Sequence, residues 1–565
     1  MSLKYIFGGS GSGKTEICMS QIMAETEKMK KSALLYIVPE QFTMQAEREL
    51  VLCSKEKSIM QAQVLSFKRL SHYIFSETGG IVGALLDETG KSMLLRKITL
   101  QLSKELQYFT KMVDKQGFIE NLANTITEFY RYNISREDIL KYLNEVRNKE
   151  SLYLKMHDIH KIFSDFEQYI SEKYISTEQV LDFVPERVEK SFLLENSEIW
   201  IDGFNGFTTQ EYNIISSLLK RGRDVTVAMT VRSEEIVYDN LSEIDPFFET
   251  KNTINKLSKL ANESNVKIEK PIFLQEYPRF NNFSSLSFLE KHYFSYKKES
   301  SNEQIDNIKI KQANNIYTEI TYVANEIINL VREKNYRFSE IAVITGDISR
   351  YERGIKRMFR IYDIPFFIDT KLKILSHPLT ELIRSSLDII AYNFTYESVF
   401  RFLKTSLIDI EETDLFKLEN YVLAYGIKQY KWKKEWTYGF TDGLYNKDKI
   451  NETRVHVLDC LKPLAENFNN SKKYTVKEVA TRVFEMLYNL NVTETLDLWG
   501  TDRVHVQVWN KICELMDKMV EILGDELVTI REFGKILDSG LQQSDIGIIP
   551  PSLDQVVIGD FERTR

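Results

Sequence analysis

The residues best suited to chemistry form one loop near the start of the chain: Gly8, Gly9, Ser10, Gly11, Ser12, Gly13, Lys14 and Thr15. Glycines at this spacing let successive backbone N–H groups point at phosphate oxygens. A lysine at the seventh position reaches the β- and γ-phosphates, and the threonine after it offers a hydroxyl to Mg²⁺. The loop therefore predicts a site for ATP with Mg²⁺; the alternative is a glycine-rich turn without a ligand.

The segments around this loop predict the fold that positions it. A short apolar strand at 4–7 precedes the loop, and apolar residues with helical spacing follow it. Short segments that are apolar on both faces recur at 33–39, 62–67, 198–203 and 224–230, as in a buried parallel sheet. Their alternation with helical stretches predicts a doubly wound α/β core interrupted by a long insertion.

The strand that follows the insertion carries only part of the expected ATPase chemistry. In a working P-loop ATPase it ends in an aspartate for the Mg²⁺ shell and a glutamate that orients the attacking water. Here it ends Ile201-Asp202-Gly203. We expect Asp202 to serve Mg²⁺ together with Thr15, whereas a glycine has no side chain with which to polarise water.

The stretch 202–210 resembles the Asp-Glu-Phe-Gln-Asp-Thr segment of UvrD-like superfamily 1 helicases, with Gly203 in place of the glutamate. The strand ending at Thr230 lacks the Gly-Asp and Gln of those motors, and the strand ending at Gly346 lacks their arginine. Losing one such element costs on the order of 10² to 10³ in rate. We therefore expect ATP binding with negligible hydrolysis; the alternatives are an active superfamily 1 translocase and an unrelated P-loop NTPase with helical appendages.

Further segments resemble AddB, the second subunit of AddAB helicase-nucleases, in order and spacing through nearly the whole chain: 38–47, 65–70, 90–97, 128–134, 364–369 with 377–378, and 418–427. The resemblance implies a RecA-like helicase body that has lost motor activity, followed by a nuclease domain with a 4Fe-4S iron-sulfur cluster. It also implies a heterodimer with an AddA-type motor and nuclease subunit. Such a complex processes DNA ends and single-stranded DNA during recombinational repair and recognises the Chi hotspot.

The last residues, 553–565, have the pattern of a buried strand that runs directly into charged residues. UvrD-like motors place a His-x-x-Lys-Gly-Leu-Glu segment here, and this chain does not. A chain that ends directly after a core strand has the pattern of a truncated protein. The nuclease residues and cluster cysteines that the resemblance implies are accordingly expected beyond Arg565.

Apolar patterning divides the chain into α/β and helical regions. A polar run at 297–303 marks a boundary between two α/β units, and the second unit has expected strands at 308–312, 341–345, 365–368 and 555–559. The predicted domains are a P-loop RecA-like domain at 1–85 with 190–300, a helical insertion at 86–189, a truncated second RecA-like domain at 301–377 with 546–565, and a mostly helical insertion at 378–545.

Two segments are candidates for contact with DNA. The first interleaves lysines with aromatic rings at 428–438 and includes Lys431, Trp432, Lys433 and Lys434. Lysines neutralise phosphates while aromatic rings stack on bases, which suits single-stranded DNA. The alternative is a solvated loop whose two tryptophans pack onto their own domain.

The second candidate consists of Ser66, Phe67 and Arg69, which follow a predicted strand at the position where UvrD-like proteins contact single-stranded DNA. A structural turn is the alternative explanation for the same residues.

Composition limits the class of protein. The 565 residues carry a net charge of -8, which argues against a surface that binds nucleic acid everywhere but leaves room for a basic channel. No stretch approaches the roughly 20 apolar residues that cross a bilayer, so we expect a cytoplasmic protein that does not enter a membrane. We expect the cysteines to be reduced thiols, because no C-x-x-C pair occurs. They are Cys18, Cys53, Cys460 and Cys513.

Overall fold

A computed structural model of the chain describes residues 1–28, 32–54, 57–59, 61–80, 83–171, 173–232, 241–280, 284–294, 299–301, 305, 307–368, 371–440, 443–469, 471–500, 503–547 and 554–561. Parts of the proposed boundary at 297–303 and of the terminal segment 553–565 lie outside these residues. None of the described helices is both long and apolar enough to cross a membrane.

Strands and helices alternate in the first part of the chain, and helices dominate after residue 377. The strands are β1 (Ser2–Gly8), β2 (Leu34–Ile37), β3 (Ala62–Leu65), β4 (Ala84–Leu86), β5 (Tyr174–Ser176), β6 (Glu198–Ile201), β7 (Asp224–Thr230), β8 (Lys267–Ile268), β9 (Ile272–Leu274), β10 (Ala342–Thr345), β11 (Phe366–Ile368), β12 (Leu372–Lys373), β13 (Tyr474–Thr475), β14 (Leu527–Val528), β15 (Asp545–Ile546) and β16 (Val556–Asp560).

The helices are α1 (Lys14–Glu27), α2 (Thr43–Cys53), α3 (Phe67–Thr78), α4 (Glu88–Gln101), α5 (Gln116–Arg131), α6 (Arg136–Glu145), α7 (Glu150–Ser171), α8 (Val184–Val188), α9 (Thr209–Arg221), α10 (Phe248–Glu263), α11 (Ser284–His292), α12 (Ile316–Lys334), α13 (Ile348–Ile361), α14 (Pro378–Ala391), α15 (Tyr396–Leu403), α16 (Glu412–Ala424), α17 (Lys447–Cys460), α18 (Lys462–Ala465), α19 (Val476–Asn489), α20 (Val492–Leu498), α21 (Arg503–Leu523) and α22 (Ile530–Gln542).

The first sheet is parallel and has the strand order β3-β2-β6-β7-β1-β8, with β9 also pairing with β1. Successive residues of β1 face opposite cores: Ile6 packs with α1 and α2, whereas Tyr5 and Phe7 pack with α3, α9 and α10. Helices therefore cover both faces, which confirms the expected α/β class. Because all strands run the same way, the carboxyl ends of β1, β6 and β7 meet at one edge.

The second sheet is also parallel, with the order β10-β16-β11, and α12 and α13 pack against it through a core that includes Val556 and Ile558. The expected terminal strand therefore joins this sheet. The strand expected at 308–312 is wrong, because these described residues form no regular structure and Ile310 is 92% exposed. Alternating apolar residues indicate a strand only where one face becomes buried.

The helical segments before and after the second sheet pack together. A single hydrophobic core contains residues of α4, α5 and α7 as well as residues from α14 to α22. The Arg96 guanidinium donates a 2.9 Å hydrogen bond to the Ser539 hydroxyl, and Lys518 pairs with Asp87 at 2.6 Å. The two segments predicted as separate insertions thus share one core; the domain boundaries themselves stay predictions.

Candidate nucleotide-binding site

The glycine-rich loop lies where β1 ends and α1 begins. Gly11 and Gly13 have φ angles of 78° and 87°, in the left-handed region that favours glycine. Gly13 is also the N-cap of α1, and no side chain among the described residues caps this end of the helix. The loop amides and the positive end of the helix dipole therefore form an anion-binding surface at the sheet edge.

The side chains of Lys14 and Thr15 are held by short polar contacts. The Lys14 ammonium donates to the carbonyl oxygens of Gly8 at 3.0 Å and Gly9 at 2.8 Å. The Thr15 hydroxyl donates to a carboxylate oxygen of Asp202 at 2.6 Å. The loop and the end of β6 are thereby joined, as the sequence motifs predict.

Asp202 is 1% exposed, and its carboxylate has a second hydroxyl donor. The Tyr36 hydroxyl donates to the same oxygen at 2.9 Å. Two donors compensate the loss of hydration that a buried carboxylate suffers. Tyr36 was not predicted as a site residue. Its position in β2, the strand that pairs with β6, could have indicated that it lies near Asp202.

The pair of Thr15 and Asp202 suits Mg²⁺. Both offer hard oxygen donors, and Mg²⁺ is commonly held by one or two carboxylates together with water and substrate phosphates. A bound Mg²⁺ would supply neutralisation of phosphate charge at this point.

The residue after Asp202 cannot supply a water-orienting group. Gly203 has no side chain, and its φ of 87° is a backbone conformation that a glutamate rarely adopts. Thr230 stands at the end of β7, and the strand β10 ends just before Gly346. The described residues at these three positions contain no carboxylate, amide or guanidinium group in their side chains.

A cleft of about 1430 Å³ runs along the loop and separates it from the second sheet. The glycine-rich loop, Asp202 and Thr230 line one wall, and Ile344 and Phe561 line the other. A nucleotide bound at the loop would therefore lie between the two parallel sheets.

A largely buried ion pair lies beside the same loop. The Ser10 amide donates to a carboxylate oxygen of Glu290 at 3.1 Å, and Arg232 lies 3.1 Å from that carboxylate. Neither Arg232 nor Glu290 was predicted from the sequence motifs. Arg232 could have been found from its position two residues after β7.

The candidate DNA segment of Ser66, Phe67 and Arg69 lies at the start of α3. The Ser66 hydroxyl caps the helix by accepting from the Arg69 amide at 3.2 Å. Phe67 is 4% exposed, and its ring contacts those of Phe204 and Phe207. The Arg69 guanidinium is about half exposed and lies 3.5 Å from Glu40. The turn explains Ser66, and the buried Phe67 ring cannot contact a base, so that part of the prediction is wrong. Contact of Arg69 with DNA stays a prediction.

The candidate DNA segment at 428–438 requires a correction. Trp432 is 0% exposed and packs against Trp436, with ring centroids 5.3 Å apart. A ring inside the core cannot stack on a base, so the stacking prediction for Trp432 is wrong, and packing onto its own domain is the observed alternative. Lys433 and Lys434 are exposed, and Lys434 lies 5.2 Å from the centre of the exposed Tyr430 ring.

Iron-sulfur ligation would require several thiolates at one place. Cys18 and Cys460 are buried in different cores, Cys53 is exposed on α2, and Cys513 lies on α21. Across the described parts of the chain, no three cysteine, histidine or acidic side chains are grouped as metal ligands. The residues present therefore do not fit such a cluster.

The chain is a P-loop protein of the superfamily 1 helicase-like class. It has a glycine-rich phosphate loop on one parallel sheet, a second parallel sheet across the cleft, and large helical segments. Two family models match the chain: "ADDB, N-terminal" over residues 5–290 and "UvrD-like helicase C-terminal domain" over residues 280–542. The chain belongs to the AddB family.

Curated relatives are named as one subunit of an ATP-dependent helicase/deoxyribonuclease. Those from Clostridium botulinum strain Hall and Clostridium acetobutylicum are 39% and 38% identical, and one from Thermoanaerobacter sp. strain X514 is 35% identical. Each alignment covers 100% of this chain and 50–51% of the relative. The chain spans about half the length of these relatives.

Proposed function

We propose that this chain is the ATP-binding, DNA-holding helicase-like part of an AddB-type subunit. The complete complex would be a cytoplasmic heterodimer with an AddA-type motor subunit that processes DNA double-strand breaks for recombinational repair and recognises Chi. In this proposal the chain binds ATP with Mg²⁺ and has lost its own motor activity. Strand separation is then left to the partner.

The observation that carries the proposal is the 2.6 Å contact of Thr15 with Asp202, directly followed by Gly203. The contact supports nucleotide and Mg²⁺ binding because it joins the two groups that the motif assigns to the metal. The glycine supports loss of hydrolysis because no carboxylate follows Asp202 to orient water. The site thus favours holding a nucleotide over turning it over.

The names of the relatives support two parts of the proposal, a partner chain and action on DNA. A protein named as one subunit of a helicase/deoxyribonuclease belongs to a complex with at least one other chain and acts on DNA. In this chain, Arg69 at the edge of the first sheet and the exposed lysines near Tyr430 are the proposed DNA contacts. Positive groups at such places neutralise phosphates without requiring a basic protein overall.

The test is a titration with a fluorescent ATP analogue, with and without Mg²⁺, followed by ATPase assays on single-stranded and duplex DNA. We expect Mg²⁺-dependent binding that Lys14→Ala abolishes and Lys28→Ala leaves intact. Turnover should stay at background with and without DNA. DNA-stimulated turnover that disappears in Lys14→Ala would instead identify an active superfamily 1 translocase.

Co-purification with an AddA-type subunit tests the proposed assembly. The pair should unwind and degrade duplex ends, and Lys14→Ala in this subunit should leave unwinding by the motor subunit in place. Loss of unwinding in a complex that still assembles would contradict the division of labour between the two chains.

A further inference from the structure

The side chain of Glu290, near the carboxyl end of α11, lies against the glycine-rich loop. The Ser10 amide donates to a carboxylate oxygen of Glu290 at 3.1 Å. A Cβ atom placed on Gly9 would lie 2.6 Å from the same oxygen, which shows how closely the carboxylate approaches the loop backbone. A Cβ on Gly11 would lie 2.7 Å from the Phe280 ring. Phe280 and Glu290 therefore cover one side of the loop.

Glu290 is held in place by Arg232. The side chains are only 13% and 24% exposed, and they pair at 3.1 Å. Arg232 also donates to the backbone oxygens of Glu290 and Lys291, the latter at 3.0 Å. These contacts fix Arg232 between the end of β7 and the carboxyl end of α11.

Arg232 is close to the loop because of sheet register. Residues of β1 and β7 pair in parallel up to Gly8 and Thr230, where both strands end. Two residues beyond Thr230, the chain reaches Arg232 beside the loop that follows Gly8. One arginine and one loop amide therefore hold the same carboxylate from two sides.

The chemistry of this contact resembles that of the ligand expected at the loop. P-loop amides bind phosphate oxygens, and a carboxylate oxygen accepts the same kind of hydrogen bond. A triphosphate bound beside a largely buried carboxylate would experience repulsion that water screens poorly. Glu290 and a nucleotide therefore compete for one donor and repel each other.

We propose that Glu290 is a built-in competitor for the nucleotide phosphates, and that Arg232 becomes a phosphate ligand when the competitor is displaced. Binding of ATP with Mg²⁺ removes Glu290 from the Ser10 amide and shifts α11 away from the loop. This inference rests on the proposed nucleotide site. It adds a conformational response of α11 to nucleotide, which the glycine-rich motif alone does not imply.

The first experiment measures the Kd of a fluorescent ATP analogue with Mg²⁺ for the wild type and three variants. Glu290→Gln keeps the shape and removes the charge, so binding should tighten roughly tenfold. Arg232→Met removes the cation and leaves Glu290 uncompensated, so binding should weaken roughly tenfold. Glu263→Gln, an exposed residue on α10, is the control for net charge and should match the wild type.

The outcomes separate this inference from the proposed function. If wild type and Glu290→Gln bind the nucleotide equally, and Lys14→Ala abolishes binding in both backgrounds, the inference is overturned and the nucleotide site is kept. Binding only by Glu290→Gln would support competition by Glu290, but it would overturn both its displacement by ATP and nucleotide binding by the natural sequence. Absence of binding in both proteins would overturn both proposals.

Hydrogen exchange of the wild-type chain gives a second readout that needs no substitution. ATP with Mg²⁺ should slow amide exchange in the loop around Ser10 and accelerate it in α11. Protection of the loop with unchanged exchange in α11 would overturn the inference.

Discussion

The Thr15 hydroxyl and the Asp202 carboxylate, 187 residues apart in sequence, are joined by a hydrogen bond of 2.6 Å. The pair connects the start of α1 to the end of β6, and both residues line the cleft between the two parallel sheets. We propose that these two oxygen donors serve Mg²⁺, which proteins commonly hold through one or two carboxylates together with water and phosphates.

Replacing Asp202 by asparagine should weaken Mg²⁺-dependent nucleotide binding about 10- to 100-fold, since perturbing groups around a metal costs about that much in affinity. The amide oxygen still accepts from Thr15 and Tyr36, so the fold should persist. Titration of the ATP analogue at several Mg²⁺ concentrations measures the effect, with exposed Asp497→Asn as the control. Unchanged Mg²⁺ dependence would show that Asp202 does not serve the metal.

Introducing the absent glutamate as Gly203→Glu should not create an ATPase. A side chain at a φ of 87° is strained and should lower the free energy of unfolding by about 1–3 kcal/mol. Thermal unfolding and DNA-stimulated ATPase assays check both effects. Gly206→Ala is the matched control because it lies in the same loop and its added Cβ would make only ordinary van der Waals contact. Robust turnover by Gly203→Glu would mean that one carboxylate was all the site lacked.

Stability should fall at acid pH because of His377. Burial lowers the pKa of His377 to about 4, and the adjacent His505, whose ring nitrogen lies 3.0 Å away, acts in the same direction. The neutral form is favoured in the folded state, so its stabilisation is present above pH 6.5 and is lost as pH falls towards 4. The half-buried position limits the loss to about 1–2 kcal/mol.

Asparagine at position 377 should flatten that pH dependence, because it still caps α14 by accepting from the Leu379 amide as His377 does. Urea unfolding between about pH 4 and 8 measures the free energy of unfolding for both proteins. Exposed His72→Asn should retain the wild-type slope. If His377→Asn also retains it, another group causes the acid sensitivity.

Changing Lys431, Lys433 and Lys434 to glutamate should weaken single-stranded DNA binding and reduce its salt dependence, since each lost phosphate contact lowers the slope by about 0.7 for a single strand. Fluorescence anisotropy at several salt concentrations measures this slope. The charge-matched control is glutamate at three exposed lysines of the first α/β unit: Lys259, Lys267 and Lys270. If the salt dependence of binding is the same for all three proteins, the segment does not contact DNA.

Much of the site is encoded in short stretches of sequence. The spacing from Gly8 to Thr15 requires only a strand before it and a helix after it, and both occur. The buried strands were predictable because parallel strands covered on both faces are apolar throughout. The terminal strand β16 was predictable from its apolar residues, although only one face is covered: Val556 and Ile558 are buried, whereas Val557 is exposed.

The wrong predictions concern residues whose environment comes from distant parts of the chain. The expected strand around Ile310 has a suitable alternating pattern, but within the described chain it has no paired neighbour, and Ile310 is exposed. Trp432 lies among lysines, as a DNA contact would. Its ring is nevertheless buried, and the Arg454 guanidinium donates to its backbone oxygen at 2.9 Å. Local composition is the same whether such a ring is inside or outside.

Local sequence was sufficient for the class of the protein, the phosphate loop and the absence of a glutamate after Asp202, because each depends on neighbouring residues and backbone geometry. Tertiary structure was needed to show that Tyr36 supports Asp202 and that Glu290 occupies the Ser10 amide. Those contacts join residues 166 and 280 positions apart. Sheet register and helix packing create them, and no local spacing records them.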